Sequence, residues 1–192
     1  MWIWVLYTLA YLLLIGFFVV ERFVRVGETR DMSHSQSDHG STAIVSVVMG
    51  IAFVLIPLTP LLNWWHIGDI RRLWVGIVGA IIGAAGLVVR YQAFTTLGRY
   101  FTRTLKQTDE HQLVTWGIYK YIRHPGYASD FLIFIGASLA MNNWITLAYV
   151  VVAFVPAYVY RIHIEEQMLS DAFGQKYKNY QSGSKRLIPG IW

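Results

Sequence analysis

Four stretches of the chain run without a charged residue: 1–20, 42–65, 73–89 and 131–160. A helix rising ~1.5 Å per residue needs about 20 apolar residues to cross the ~30 Å hydrocarbon core of a bilayer. Runs of this length in a 192-residue chain leave little room for a water-soluble domain. The remainder cannot supply one. Sixteen Lys and Arg with eleven Asp and Glu are too few to cover a soluble surface of this size, and 55% of the residues are hydrophobic. The mean hydropathy of +0.43 also excludes a disordered chain, because abundant apolar area is available to bury. The lack of cysteine excludes a disulfide framework, thiolate-held zinc and a cysteine nucleophile. The sequence predicts an all-α integral membrane protein. Residues 1–20 read as one of its helices rather than as a cleaved signal peptide. No basic residue precedes the apolar run, and no Ala-x-Ala precedes Glu21.

The second stretch, Thr42 to Trp65, carries Pro57 and Pro60 and ends on Trp64 and Trp65, placed like interfacial anchors. The third, Leu73 to Val89, is bounded by Arg71, Arg72 and Arg90. The last is thirty residues long with Met141-Asn142-Asn143 inside it, and reads either as one overlong helix or as a hairpin turning at the Asn pair. Charge placement decides. Basic residues number three in 21–40, two in 63–72, six in 90–126 and five in 161–192. A hairpin puts fourteen of these on one side and two on the other, whereas a single helix divides them nine to seven. Cytoplasmic loops carry the excess of Lys and Arg, so the hairpin is expected, with short arms of roughly 13 and 17 residues. The expectation is therefore five transmembrane helices, the N-terminus outside and the C-terminus cytoplasmic. The net charge of +5 is explained by this sidedness, and no nucleic-acid partner is expected.

Gly76, Gly79, Gly83 and Gly86 recur at spacings of three, four and three on one face of the third helix, which suits close approach of a neighbouring helix. The polar stretch Gly27 to Gly40 reads as a solvated loop without chemistry. The polar interest lies in two pieces, Arg99–Tyr127 and Arg161–Trp192, and the hairpin between them returns both to one membrane face. In the second piece Ile164, Met168, Leu169, Phe173, Tyr177 and Tyr180 recur at helical spacings, so the last membrane helix should continue as an amphipathic helix. The whole chain, 1–192, forms one membrane-embedded domain. Residues 1–103 are mainly three membrane helices, and 104–192 carry the chemistry.

The motif Y-x-R-H-P-G-Y from Tyr121 to Tyr127, an apolar hairpin, then R-x-x-x-E-E from Arg161, F-G-x-x-Y from Phe173 and R-L-I-P from Arg186 form an ordered set. This set resembles the isoprenylcysteine carboxyl methyltransferase family, over roughly residues 104–192. The resemblance implies an integral membrane enzyme of compact prokaryotic type. Such an enzyme transfers a methyl from S-adenosylmethionine to the carboxylate of a prenylated cysteine, or of a similar lipophilic acid, at the cytoplasmic interface, and leaves S-adenosylhomocysteine. It places His111, Gln112, Leu113, Val114, Tyr119, His124, Pro125, Gly126, Tyr127 and Glu165 around the cofactor. It places Arg161 at the substrate, with Arg161 and Glu165 as the catalytic pair.

These residue types suit that chemistry. Aromatic faces such as Tyr119 and Tyr127 attract a sulfonium. A carboxylate suits an ammonium or ribose hydroxyls, and the Leu113-Val114 pair suits an adenine face. Glu165 and Glu166 both remain candidates for that carboxylate, although the spacing back from Phe173-Gly174 favours Glu165, on the helix face of Arg161. Taken singly, each has a plainer reading: the tyrosines as an interfacial belt, His124 as a turn residue before proline, Arg161 as a snorkelling charge. His111, His124, His163, Glu165 and Glu166 show no recognised metal-ligand spacing, and no metal is expected. Alternatives of other classes are a phospholipid amine N-methyltransferase, a nicotinamide-dependent membrane reductase, and a non-enzymatic transporter or scaffold.

Overall fold

The computed structural model describes residues 2–24, 38–98 and 113–188. Eight α-helices lie in this part of the chain, and no strand. They are α1 (Trp2–Val19), α2 (Ser41–Leu55), α3 (Thr59–Trp64), α4 (Leu73–Leu97), α5 (Pro125–Ala140), α6 (Trp144–Tyr149), α7 (Val155–Phe173) and α8 (Gln175–Gly183). A π-turn, Val150–Phe154, joins α6 to α7, so Trp144–Phe173 is one continuous rod of 30 residues. Pro156 has no N–H to offer the Val152 carbonyl, and the turn before it widens.

Three helices are long and apolar enough to cross a membrane: Trp2–Val24, Leu73–Leu97 and Trp144–Phe173. The other two expected spans are shorter, 15 residues in α2 and 16 in α5. The expected single helix from Thr42 to Trp65 is broken in two. Pro57 would clash with the turn preceding it and lacks a donor, so α2 stops at Leu55, and α3 restarts with Pro60 in its first turn, where no donor is needed. The third helix runs eight residues past the expected end at Val89, to Leu97. Arg90 therefore lies inside the helix, 5% exposed, rather than bounding it.

The hairpin turns at Asn142-Asn143, and the last helix continues to Phe173, both as the sequence predicts. The turn is not a solvated loop but a buried hub. Asn143 Oδ1 caps α6 by accepting from the N–H groups of Ile145 and Thr146, while its Nδ2 donates to Asn63 Oδ1 at 2.7 Å and Ile67 O at 2.8 Å. Asn63 Nδ2 donates in turn to Tyr7 Oη and Met141 O. Asn142, at φ 54, accepts the Arg72 N–H on its side-chain oxygen at 2.8 Å. One turn thus ties α1, α3, α4 and α6 at one end of the bundle.

The glycine face of α4 serves two neighbours. Gly76 and Gly83 take Leu6 and Leu13 of α1, whereas Gly79 and Gly86 take α5. A Cβ on Gly79 would lie 2.6 Å from Leu139 Cβ, and one on Gly86 2.8 Å from the Ile133 nitrogen. Beside this seam a chain of aromatic rings fills the core: Phe17, Phe53, Phe134 and Phe154, successive centroids 5.0–5.2 Å apart. The outward faces of α1 and α4 stay apolar, with Trp4, Leu12, Trp74 and Ile81 exposed, as lipid contact requires.

Candidate active site

The hairpin brings the start of α5 beside the far half of α7, at the end of the bundle opposite Asn142. What holds them is a set of ion pairs on Glu166. Arg123 Nε donates to its Oε1 at 2.8 Å and Arg186 Nε to its Oε2 at 3.0 Å, while His124 Nε2 lies 3.4 Å away. Backbone bonds secure the tail alongside: Arg123 N–H donates to Lys185 O at 2.7 Å and His124 N–H to Arg186 O at 3.0 Å. The Arg123 Nη1 closes the clamp on the Ser184 carbonyl.

This clamp borders a cavity of about 490 Å³. Its walls include Leu113, Val114, Tyr119, His124, Pro125, Gly126, Tyr127, Arg161 and Glu165, so every expected site residue that falls among the described residues is brought together. His111 and Gln112 lie outside the described residues. The two glutamates separate cleanly. Glu165 lies on the cavity and accepts the Tyr127 hydroxyl at 2.5 Å, whereas Glu166 belongs to the clamp.

Arg161 is held on three sides. Its Nε donates to Tyr127 Oη at 3.0 Å and faces Glu165 Oε2 at 3.7 Å. Its Nη1 donates to the Asp38 carboxylate, to Ser41 Oγ at 2.9 Å and to Thr42 Oγ1 at 3.0 Å. Asp38 corrects one expectation: in the part of the Gly27–Gly40 stretch among the described residues, its side chain is buried rather than solvated. This carboxylate, 6% exposed near the C-terminal end of the stretch, is an ion-pair partner of Arg161. No sequence signal near residue 38 points to that, because the two are 123 positions apart.

A second buried charge set lines the same cavity. Arg90 Nη1 donates to Asp130 Oδ1 and Nη2 to Glu21 Oε2, each at 2.5 Å, with its guanidinium 3.8 Å above the Phe17 ring. Tyr158 donates to the other Asp130 oxygen at 2.8 Å and rests edge-on to Tyr127. The detectable signal was positional. Glu21, Arg90 and Asp130 each stand at the end of an uncharged run, where a helix extended by one or two turns draws the charge inside and demands a partner.

The cavity has two characters. Between α1 and α2 it is apolar, walled by Phe17, Phe18, Val45, Met49 and Phe53. Between α5, α7 and α8 it is aromatic and polar, walled by Tyr119, Tyr127, Tyr177 and Tyr180 with Glu165. Burial lifts the Tyr180 phenol to about 12 and raises that of Tyr119, with the nearby Glu165 charge adding to the latter. Both rings thus stay neutral. The Tyr177 hydroxyl is buried without a hydrogen-bond partner among the described residues. This compartment therefore offers neutral aromatic faces with one carboxylate, Glu165, among them. No group of three or more His, Asp or Glu able to hold a metal occurs among the described residues.

Comparison with known proteins gives the same direction throughout. The model of the isoprenylcysteine carboxyl methyltransferase family matches residues 77–171, beginning well before the motifs, within α4. The chain is 33% identical over 132 residues to a protein-S-isoprenylcysteine O-methyltransferase of Dictyostelium discoideum, covering 68% of this chain and 56% of that protein. It is 32% identical over 127 residues to a probable protein-S-isoprenylcysteine O-methyltransferase of Oryza sativa subsp. indica, covering 64% of this chain and 66% of that protein. A solved structure of the eukaryotic intramembrane Ras methyltransferase, an isoprenylcysteine carboxyl methyltransferase, superimposes with a TM-score of 0.55 at 28% identity, over 83% of this chain and 55% of that one. The chain spans between about half and two thirds of the length of these relatives. With three apolar helices of membrane-crossing length and these relatives, this integral membrane protein belongs to the isoprenylcysteine carboxyl methyltransferase family.

Proposed function

We propose that the protein is a membrane-embedded methyltransferase that esterifies the α-carboxylate of a prenylated cysteine, or a similar lipophilic acid, using S-adenosylmethionine. The observation that carries this reading is the placing of Arg161 and Glu165, one turn apart on α7, where an apolar arm of the cavity meets an aromatic, polar one. A lipid tail suits the walls of α1 and α2. The cofactor would lie against Leu113, Val114, Tyr119, His124, Pro125, Gly126 and Tyr127, with Glu165 taking its ammonium or hydroxyls and Tyr177 offering a further donor. When bound, S-adenosylmethionine supplies an electrophilic methyl on a sulfonium.

The acceptor needs no general base, since an α-carboxyl ionises near pH ~3.5 and is already an anion at neutral pH. The task of the residues is to orient and desolvate. Arg161 is always charged, and its planar fork aligns a carboxylate, while the apolar arm excludes water from two opposite charges about to neutralise each other. Held by Arg161, the carboxylate oxygen would accept the methyl with its own lone pair, the C–S bonding pair remaining on sulfur to leave a neutral thioether. In this reading five helices sit in the bilayer, with α2 and α5 as the short ones, and the site faces the cytoplasm.

Incubation with methyl-labelled cofactor and farnesylated N-acetylcysteine, followed by base, tests the reaction. A methyl ester releases labelled methanol. Label that survives base would mark an N-methyl product and the phospholipid amine reading, for which Arg161 is a poor proton acceptor. Absence of both incorporation and S-adenosylhomocysteine binding would favour a reductase, transporter or scaffold.

A further inference from the structure

If Arg161 takes the acceptor's carboxylate, as proposed above, the carboxylate already on it has a functional consequence. Asp38 sits just ahead of α2, 6% exposed, and accepts from the Thr42 N–H at 3.0 Å and from the Ser41 and Thr42 hydroxyls at 2.9 and 3.0 Å. It is fixed by three neutral donors before Arg161 adds a fourth. Arg161 and Thr42 both line the cavity, and Val45, Ser46 and Met49 continue along α2 into its apolar arm. The Asp38–Arg161 pair therefore stands at the polar end of the lipid arm, where the head of an acceptor would arrive. With an acceptor in place, one guanidinium faces Asp38, Glu165 and the incoming carboxylate.

That excess of negative charge sets the strength of the grip. Methyl transfer neutralises the carboxylate, so an interaction with its full charge favours the ground state over the transition state and slows the step if it is too strong. We propose that Asp38 is a resident counter-charge that positions Arg161 and tempers its hold on the substrate carboxylate, setting how strongly the site prefers the acid over the methyl ester it becomes. The neutral ester keeps at most a hydrogen bond from Arg161 and no ion pair, so Asp38 acts chiefly on the acid.

Asp38→Asn keeps the shape and an oxygen able to accept from the Thr42 N–H, and Asp38→Ser keeps a smaller neutral hydroxyl. Both are compared with the wild type as full-length purified protein. The readouts are the affinities of S-farnesyl-N-acetylcysteine and of its methyl ester, the steady-state constants for methylation, and S-adenosylhomocysteine affinity as the check of fold. Removing one buried charge-assisted partner from Arg161 is expected to raise the ratio of acid to ester affinity by about tenfold, with KM and kcat both falling. A purely structural role would move both ligands together, so an unchanged or lowered ratio in folded variants overturns the proposal. Arg161→Gln is the separate arm. A ratio that this change leaves at the wild-type value defeats the assignment of Arg161 itself. If Arg161→Gln lowers the ratio while the Asp38 variants leave it unchanged, Asp38 alone loses its role.

Discussion

Glu165 and Glu166, consecutive on α7, serve two different structures: Glu165 accepts the Tyr127 hydroxyl at 2.5 Å on the cavity wall, and Glu166 joins Arg123 at 2.8 Å and Arg186 at 3.0 Å behind it. A step of about 100° around a helix separates neighbouring side chains, so a doubled glutamate faces the cavity and the scaffold at once. Glu165→Gln should weaken S-adenosylhomocysteine binding by about 1–3 kcal/mol and leave the fold intact. Glu166→Gln should instead lower stability by about 3 kcal/mol or more, because Arg123 loses its buried counter-ion. Calorimetry and thermal unfolding on each variant separate the two. Equal effects of both changes on cofactor affinity would reverse the assignment.

Much of this was legible beforehand because two signals are local. Uncharged runs gave the apolar helices, and the sidedness of Lys and Arg gave the turn at Asn142-Asn143. The motif from Tyr121 to Tyr127 and that from Arg161 onward gave much of the cavity wall, since each is short in sequence and its residues stay close in space. What stayed hidden was pairing across elements. Asp38 meets Arg161, and Glu21 and Asp130 meet Arg90, only through the packing of α1, α2, α4 and α5. The break of the second span was readable from Pro57, but length and the absence of charge outweighed it.

The α4–α5 seam gives a stability test with its own control. Gly79→Ala places a Cβ 2.6 Å from Leu139 Cβ, against α5 backbone that cannot yield, whereas a Cβ on Gly50 meets nothing within 4 Å. Gly79→Ala should destabilise by about 1–3 kcal/mol, and Gly50→Ala should be neutral or stabilising by up to about 1 kcal/mol. Thermal unfolding in detergent decides. A Gly79→Ala variant as stable as the wild type would mean that the two helices do not touch there.

The absence of cysteine makes the proposed sidedness easy to probe. Trp65, 59% exposed, and Ser182, also exposed, lie at opposite ends of the bundle. Single cysteines at these positions, treated in intact cells with a membrane-impermeant thiol reagent, should label at 65 and stay unlabelled at 182 until the cells are opened. Labelling of both in intact cells, or the reverse pattern, would refute the proposed orientation.

Arg161→Lys keeps the charge but cannot reach Tyr127 through one nitrogen while holding Asp38 through another. The expected result is a methylation rate lower by about ten- to a hundredfold, equivalent to ~1.4–2.8 kcal/mol of lost transition-state stabilisation, with S-adenosylhomocysteine affinity nearly unchanged. A charge that merely anchors a helix end would tolerate lysine. Near-normal turnover of a prenylcysteine acceptor by the lysine variant would therefore remove Arg161 from the reaction.

The Asp38–Arg161 pair also makes a statement about acid. Burial on its own would raise the Asp38 carboxyl, but the Thr42 N–H, the Ser41 and Thr42 hydroxyls and the Arg161 charge together hold it below its ordinary value of 3.8. Near that value the folded protein binds fewer protons at Asp38 than the unfolded chain does, so stability from this group rises with pH there. The contribution is complete above the ordinary carboxyl range and is lost as pH falls through the depressed folded value. Wild type should accordingly unfold at a higher temperature than Asp38→Asn by a margin that is constant from pH 7 to about 5 and shrinks below about 4. The comparison is a pair of thermal unfolding series in the same detergent, in which every other carboxylate titrates alike in both proteins. A margin that stays flat down to pH ~3, or widens there, would mean that Asp38 is not held as an ion on Arg161 in the folded state.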